Sequence, residues 1–122
     1  MSRYRGWFYA AAVYNLCWGI GVATLAHSSG WRVVGGFVLL YAPAYWWVAR
    51  NPEGHVHLVL IAALGKLLGP LAFAFGVVTG LVDPRLALVI VTNDLLWWPA
   101  FAGYLRTAVP AHGGWRAVLS GD

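Results

Sequence analysis

Charge is what this sequence has least of. Lys and Arg number 8 and Asp and Glu 4 in 122 residues, 10% of the chain, where a water-soluble domain carries about 25% to cover its surface. That composition argues strongly against a soluble globular protein. One cysteine, Cys17, sits inside an apolar run; this leaves no intramolecular disulfide, no CxxC redox pair and no cysteine-based zinc site. No histidine lies deep in an apolar run, which disfavours bis-histidine haem ligation. Ser28, Ser29 and Ser120 lack the His and Asp spacing that activates a nucleophile, and there is no phosphate-cradling glycine loop. The formal net charge of +4 comes from basic residues scattered at the ends of apolar runs, a pattern of membrane topology rather than nucleic-acid binding.

What is present is hydrocarbon: 61% of the residues are apolar, and the mean hydropathy is +0.68. A helix needs roughly 20 apolar residues to cross a hydrocarbon core about 30 Å thick. Four runs qualify, at about 6–26, 31–49, 56–79 and 86–105. Breaks rich in Gly, Pro, Ser or charge separate them, among them Arg50-Asn51-Pro52-Glu53-Gly54 and Asp83-Pro84-Arg85. The first run is longer than a signal-peptide core, and Thr24-Leu25-Ala26 is a poor cleavage site, so it reads as a span. The expectation is an all-α, single-domain integral membrane four-helix bundle covering 1–122.

Basic residues mark the cytoplasmic side. With four spans, Arg3, Arg5, Arg50, Arg106 and Arg116 share one side and only Arg32 and Arg85 the other. Both termini are thus expected inside, in a plasma membrane. Aromatic residues toward the inner ends, Tyr4 and Trp7, Tyr45-Trp46-Trp47, and Trp97, Trp98 and Tyr104, read as interfacial belts, with Trp18 and Trp97 set deeper than the rest. An ungapped offset of 51 positions superposes Trp46-Trp47 on Trp97-Trp98 and Asn15 on Lys66. Such an offset admits two parallel two-helix hairpin repeats, although shared membrane composition accounts for it slightly better.

A charge at mid-membrane depth costs roughly 3 kcal/mol, so each one marks a candidate site. There are two. Lys66 lies about 15 Å from the start of the third run and Asp94 about 16 Å from the end of the fourth, at 1.5 Å per residue. Antiparallel neighbours would bring them to one level as an ion pair. Asn15 with Tyr14, Tyr41, and Asn93 with Thr92 fall at the same depth, giving a polar layer fed by all four helices. Gly65, Gly69 and Pro70 around Lys66, with Gly19 and Gly21 on the first run, permit close helix approach, and Pro43 and Pro99 each free a backbone carbonyl one turn earlier. The competing reading makes this layer a polar glue. His55-x-His57 with Glu53 is a weak metal candidate, a solvated loop being the commoner outcome.

Tyr14-Asn15, Gly65-Lys66 with Gly69-Pro70, and Asn93-Asp94 followed by Trp97-Trp98-Pro99 form a pattern that resembles small four-helix bacterial membrane proteins of the DoxX-like kind, over most of the chain. The resemblance implies a redox- or quinone-associated membrane role. From the residues themselves, the leading expectation is a non-enzymatic protein that binds a small amphipathic or anionic ligand, or supports a respiratory membrane system. Lys66 would supply positive charge, Asp94 and Asn93 would orient it, and Asn15 and Tyr41 would add hydrogen bonds. An oligomeric small transporter or channel and a structural subunit of a membrane complex are the alternatives. No cofactor is identified, and the bilayer, a second copy or a membrane-complex partner are the expected partners.

Overall fold

A computed structural model of the chain describes residues 1–121. They are helical nearly throughout, with no strand among them. Six helices follow one another: α1 (Arg5–Leu25), α2 (Ser29–Arg50), α3 (Val56–Val78), α4 (Ala87–Asn93), α5 (Trp98–Ala111) and α6 (Trp115–Ser120). Short 3-10 turns precede α1, α3 and α4 and join α4 to α5.

Three helical segments are long and apolar enough to cross a membrane: Ser2–Leu25, Val56–Val78 and Pro84–Ala111. Only 28, 22 and 22% of their most apolar windows are buried within the protein. Side chains such as Leu68, Phe75, Val78 and Leu88 therefore stand on the outer surface, an arrangement that hydrocarbon tolerates and water does not. The expected four spans thus become four helical segments of which three qualify. α2 has the length, at 22 residues, but Arg32, Tyr41, Pro43, Tyr45 and the Trp46-Trp47 pair dilute its hydropathy.

The structure divides into two compact units, Met1–Leu58 and Val59–Asp122. The first is the α1–α2 hairpin. Its α1 stripe, Phe8, Ala11, Ala12, Asn15 and Gly19, follows the helical repeat, as do Gly35, Ala42, Tyr45 and Val48 on α2. The helices touch through glycine: a Cβ on Gly19 would stand 2.8 Å from the Leu39 backbone, and one on Gly35 would collide with the backbone of Val22 and Ala23. Gly21 has open space where its side chain would be, so of the two glycines expected to permit close approach on α1, Gly19 alone makes one. Phe8 lies against Tyr45, and Tyr9 meets Trp46 edge-on with ring centroids 5.1 Å apart.

Both open helix ends of this hairpin are closed by arginine. Arg5 donates from Nε to the Ala49 carbonyl at 2.9 Å and from Nη2 to that of Arg50 at 2.7 Å. Arg32 Nε reaches the Ala26 carbonyl at 2.8 Å. These guanidiniums satisfy the carbonyls that a helix C-terminus leaves unpaired, at the end where its dipole favours a cation. Ser28 Oγ accepts from the Trp31 amide and caps the start of α2.

In the second unit α3 ends in a Schellman turn. Gly80 adopts φ +75°, Leu81 N–H bonds the Gly76 carbonyl and Gly80 N–H bonds that of Val77, the paired pattern that needs a left-handed residue. α5 ends the same way through Gly113 (φ +98°), with Gly114 N–H on Val109 and Gly113 N–H on Pro110. Between α3 and α4, Asp83 accepts from the Arg85 backbone and forks onto its guanidinium, and this pairing holds the Asp83 carboxyl below the usual carboxylate range.

The fourth segment departs from expectation. Instead of one helix over 86–105, α4 stops at Asn93, Asp94 sits at φ −118° and ψ −63°, and a 3-10 turn (Leu95–Trp97) leads into α5. Pro99 is the cause: without an N–H it cannot serve the Leu95 carbonyl four residues back. The chain tightens so that the Trp98 N–H takes that carbonyl instead. The Trp97 N–H likewise bonds Asp94, three residues back, at 3.3 Å. The Asn93 carbonyl thereby loses the donor that a continuous α-helix would give it.

A candidate polar site at a helix break

Lys66 occupies the buried stripe of α3 with Val56, Val59, Ala62 and Ala63, and is 5% exposed, as is Asp94. Its Nζ donates to the Asn93 carbonyl at 2.5 Å, the group released by the break. The ammonium thus caps the C-terminal end of α4, where the helix dipole is negative. Asp94 Oδ1 is 3.9 Å from Nζ, an ion pair without a direct hydrogen bond. That oxygen accepts instead from Asn93 Nδ2 at 3.1 Å, while Phe101 presents its ring 6.0 Å from the ammonium.

A second released carbonyl completes the cluster. Pro70 stands four residues beyond Lys66 and withholds the N–H that the Lys66 carbonyl would accept. Trp98 supplies a substitute, its indole Nε1 donating to that carbonyl at 3.2 Å. The two broken elements therefore serve one another: α5 gives an indole to α3, and α3 gives an ammonium to α4. Trp97 Nε1 donates to the Thr92 carbonyl at 3.0 Å and closes the break from its own side. Gly69 leaves the room Asp94 occupies, since a Cβ built there would collide with the carboxylate. The buried Oδ1 of Asn93 has no hydrogen-bond partner, leaving one acceptor in the cluster open.

Of the residues singled out in the sequence, Lys66, Asn93 and Asp94 come together in the second unit. Asn15, Tyr14 and Tyr41 belong to the first. There Asn15, 2% exposed, donates to the Ala11 carbonyl of its own helix at 2.8 Å, and the Tyr41 ring packs on Tyr45 at 5.9 Å. His55 and His57 flank the start of α3, and no group of three His, Cys, Asp or Glu among the described residues is arranged to hold a metal. Sequence reading took Trp98 for an interfacial anchor and, although it set Trp97 deeper, gave neither indole a part in the cluster. The signal was present in Lys66-x-x-x-Pro70, which frees a carbonyl in the middle of an apolar helix and so demands a donor from elsewhere.

Beside the cluster lies an open groove of about 640 Å³, walled chiefly by Leu60, Ala63, Leu64, Trp98, Leu105 and Val109, with Arg106 and Trp115 also on its lining. Trp98 is common to both features: its indole N–H holds the Lys66 carbonyl while its ring forms part of the groove wall. No family model, no curated protein and no solved structure matches this chain.

Proposed function

We propose that this chain is a multi-pass membrane protein, with α2 as a fourth crossing and both termini cytoplasmic, that binds a small amphipathic, anionic molecule without transforming it chemically. The observation that carries this reading is the shared Trp98. An apolar groove of ligand size, within the 300–1,000 Å³ usual for such sites, runs along a wall whose position is set by the buried cluster. Lys66, Asn93 and Asp94 then act as a rigid polar brace, and the groove receives the ligand's apolar part. The resemblance to DoxX-like proteins favours such binding within a redox or respiratory membrane system of a bacterial plasma membrane.

Native mass spectrometry of the protein released from mild detergent tests the reading. A bound amphiphile in the wild type, lost in Trp98→Ala, is the expected result; a ligand-free wild type removes it. Lys66→Met with Asp94→Leu probes the brace. If that variant is folded and retains the amphiphile unchanged, the cluster has no part in binding.

A second reading, an oligomeric transporter or channel, draws support from the break at Asp94, because interrupted helices with charged residues line many transport sites. Flux into liposomes that disappears in Lys66→Ala supports it, and flux absent from the wild type ends it.

A further inference from the structure

The groove beside Trp98 also carries information about what fills it. We propose that its occupant is one acyl chain of an anionic phospholipid, drawn from the leaflet at the Arg106 end, with the lipid phosphate seated on the Arg106 guanidinium. The proposal rests on the amphiphile-binding reading above and gives that ligand a chemical class.

Three observations converge on it. The first is depth. Along α5 the groove's lining runs from Trp98 past Arg106 to Pro110; the part between Trp98 and Arg106 covers eight residues, about 12 Å at 1.5 Å per residue, against about 15 Å for half of a hydrocarbon core. A chain entering beside Arg106 would run to near mid-membrane, as an acyl tail of one leaflet does. The second is the lining, where Leu60, Leu64, Ala102, Leu105 and Val109 present hydrocarbon along a groove that is open rather than enclosed.

The third is charge. Arg106 is exposed and has no hydrogen bond or ion pair among the described residues. Arg5 and Arg32 are bound to carbonyls and Arg85 to Asp83, whereas Arg50 and Arg116 are, among the described residues, as unpaired as Arg106; of these three, Arg106 is the one on the groove's lining. No acidic residue occurs between Leu95 and Gly121, while Arg116 lies one residue beyond the groove's Trp115. A guanidinium on the lining of an apolar groove, with no ion-pair partner among the described residues, matches a phosphate that it can grip through two N–H groups. Trp115, 52% exposed, adds an indole of the kind that settles at headgroup level. A neutral quinone or sterol would fill the slot and leave the guanidinium unmatched.

The test is competitive lipid retention. Full-length protein is reconstituted in nanodiscs of phosphatidylcholine with an equal amount of phosphatidylglycerol, extracted into mild detergent, and the retained lipid is identified by native mass spectrometry. The wild type is expected to hold one phosphatidylglycerol in preference to phosphatidylcholine. Arg106→Gln should reduce that preference about tenfold, as loss of a charge-assisted contact implies, and Arg106→Lys should recover part of it. Ala102→Trp, which fills the slot, should lose both lipids.

A wild type that retains both lipids equally, with retention abolished by Ala102→Trp, overturns the anionic assignment while leaving amphiphile binding intact. Retention of a free fatty acid or a quinone in place of phospholipid also overturns it. No retained amphiphile at all removes the parent reading together with the proposal. Should Ala102→Trp fail to fold, the exposed Arg106→Gln alone decides: an unchanged phosphatidylglycerol preference refutes the proposal.

Discussion

Trp98 and Pro70 should be energetically coupled, although one is a side-chain donor and the other a missing backbone donor on a different helix. The Lys66 carbonyl receives the Trp98 indole N–H at 3.2 Å because Pro70 offers none. Trp98→Phe removes that donor and leaves a carbonyl unsatisfied inside an apolar span, a loss of about 1–3 kcal/mol, to which trimming the half-buried ring adds about 1 kcal/mol. Pro70→Ala restores an N–H four residues beyond Lys66, in the place where a regular α-helix puts it. In that background Trp98→Phe should cost only the packing part. The coupling is then about 1–3 kcal/mol, measurable by reversible unfolding of the four proteins of the cycle in mixed micelles. Hydrogen exchange supplies a second readout: in the double variant Pro70→Ala with Trp98→Phe, the backbone amide gained at position 70 should be protected. If Trp98→Phe costs the same in both backgrounds, the indole does not serve the Lys66 carbonyl and the mutual capping of the two broken elements is wrong.

The buried charges give a related expectation. At 3.9 Å and an effective dielectric constant near 20, their attraction is roughly 4 kcal/mol. Lys66→Met alone should therefore destabilise by about 3–5 kcal/mol, leaving a buried carboxylate without its cation, whereas adding Asp94→Leu should recover the part due to that carboxylate and leave the part due to the uncapped Asn93 carbonyl; additive effects in the unfolding cycle would contradict the pairing. Gly19→Leu should separate α1 from α2 at a cost of about 1–3 kcal/mol, because its Cβ meets the Leu39 backbone. Gly21→Leu, with open space at its Cβ, should be nearly silent in the same unfolding assay, and equal losses would show that the hairpin does not close through Gly19. Asp83 should titrate below an ordinary aspartate, since Arg85 stabilises its ionised form. Its contribution to the turn is then present above the unfolded-state pKa and disappears as pH falls through the lower folded-state value. Carbon NMR of the Asp83 carboxyl checks this, a midpoint at or above the free value contradicting it.

Much of the helical pattern could be read directly from the chain. The runs beginning near Gly6, Trp31 and Val56 become α1, α2 and α3, because apolar length with Gly- and Pro-marked ends leaves few alternatives. Lys66 and Asp94 could also be paired in advance, from the cost of burying either charge alone. The contact they make could not. Lys66 binds the Asn93 carbonyl more closely than the Asp94 carboxylate, and every residue carries a carbonyl, so nothing in the residue sequence marks that one as available. It becomes available through a relay in the backbone. Pro99 withholds an N–H, Trp98 and Trp97 shift to partners three residues back, and the deficit surfaces at Asn93.

The same relay explains why the polar cluster is so local. Outside a membrane, water would serve the carbonyls that Pro70 and Pro99 disturb, and neither proline would call for a charged or indole donor. Within hydrocarbon each deficit must be met by the protein itself, since an unsatisfied backbone group there costs several kcal/mol. Lys66 and Trp98 meet two of them, and each is held in place by the deficit it fills. The ammonium is therefore fixed by backbone geometry before Asp94 is considered, and the carboxylate, bonded to Asn93 Nδ2 and fitted over Gly69, balances its charge from 3.9 Å away. A side chain so constrained is poorly suited to reach a ligand and well suited to hold a wall, which is why binding is assigned to the groove along Trp98 and Arg106 rather than to Lys66.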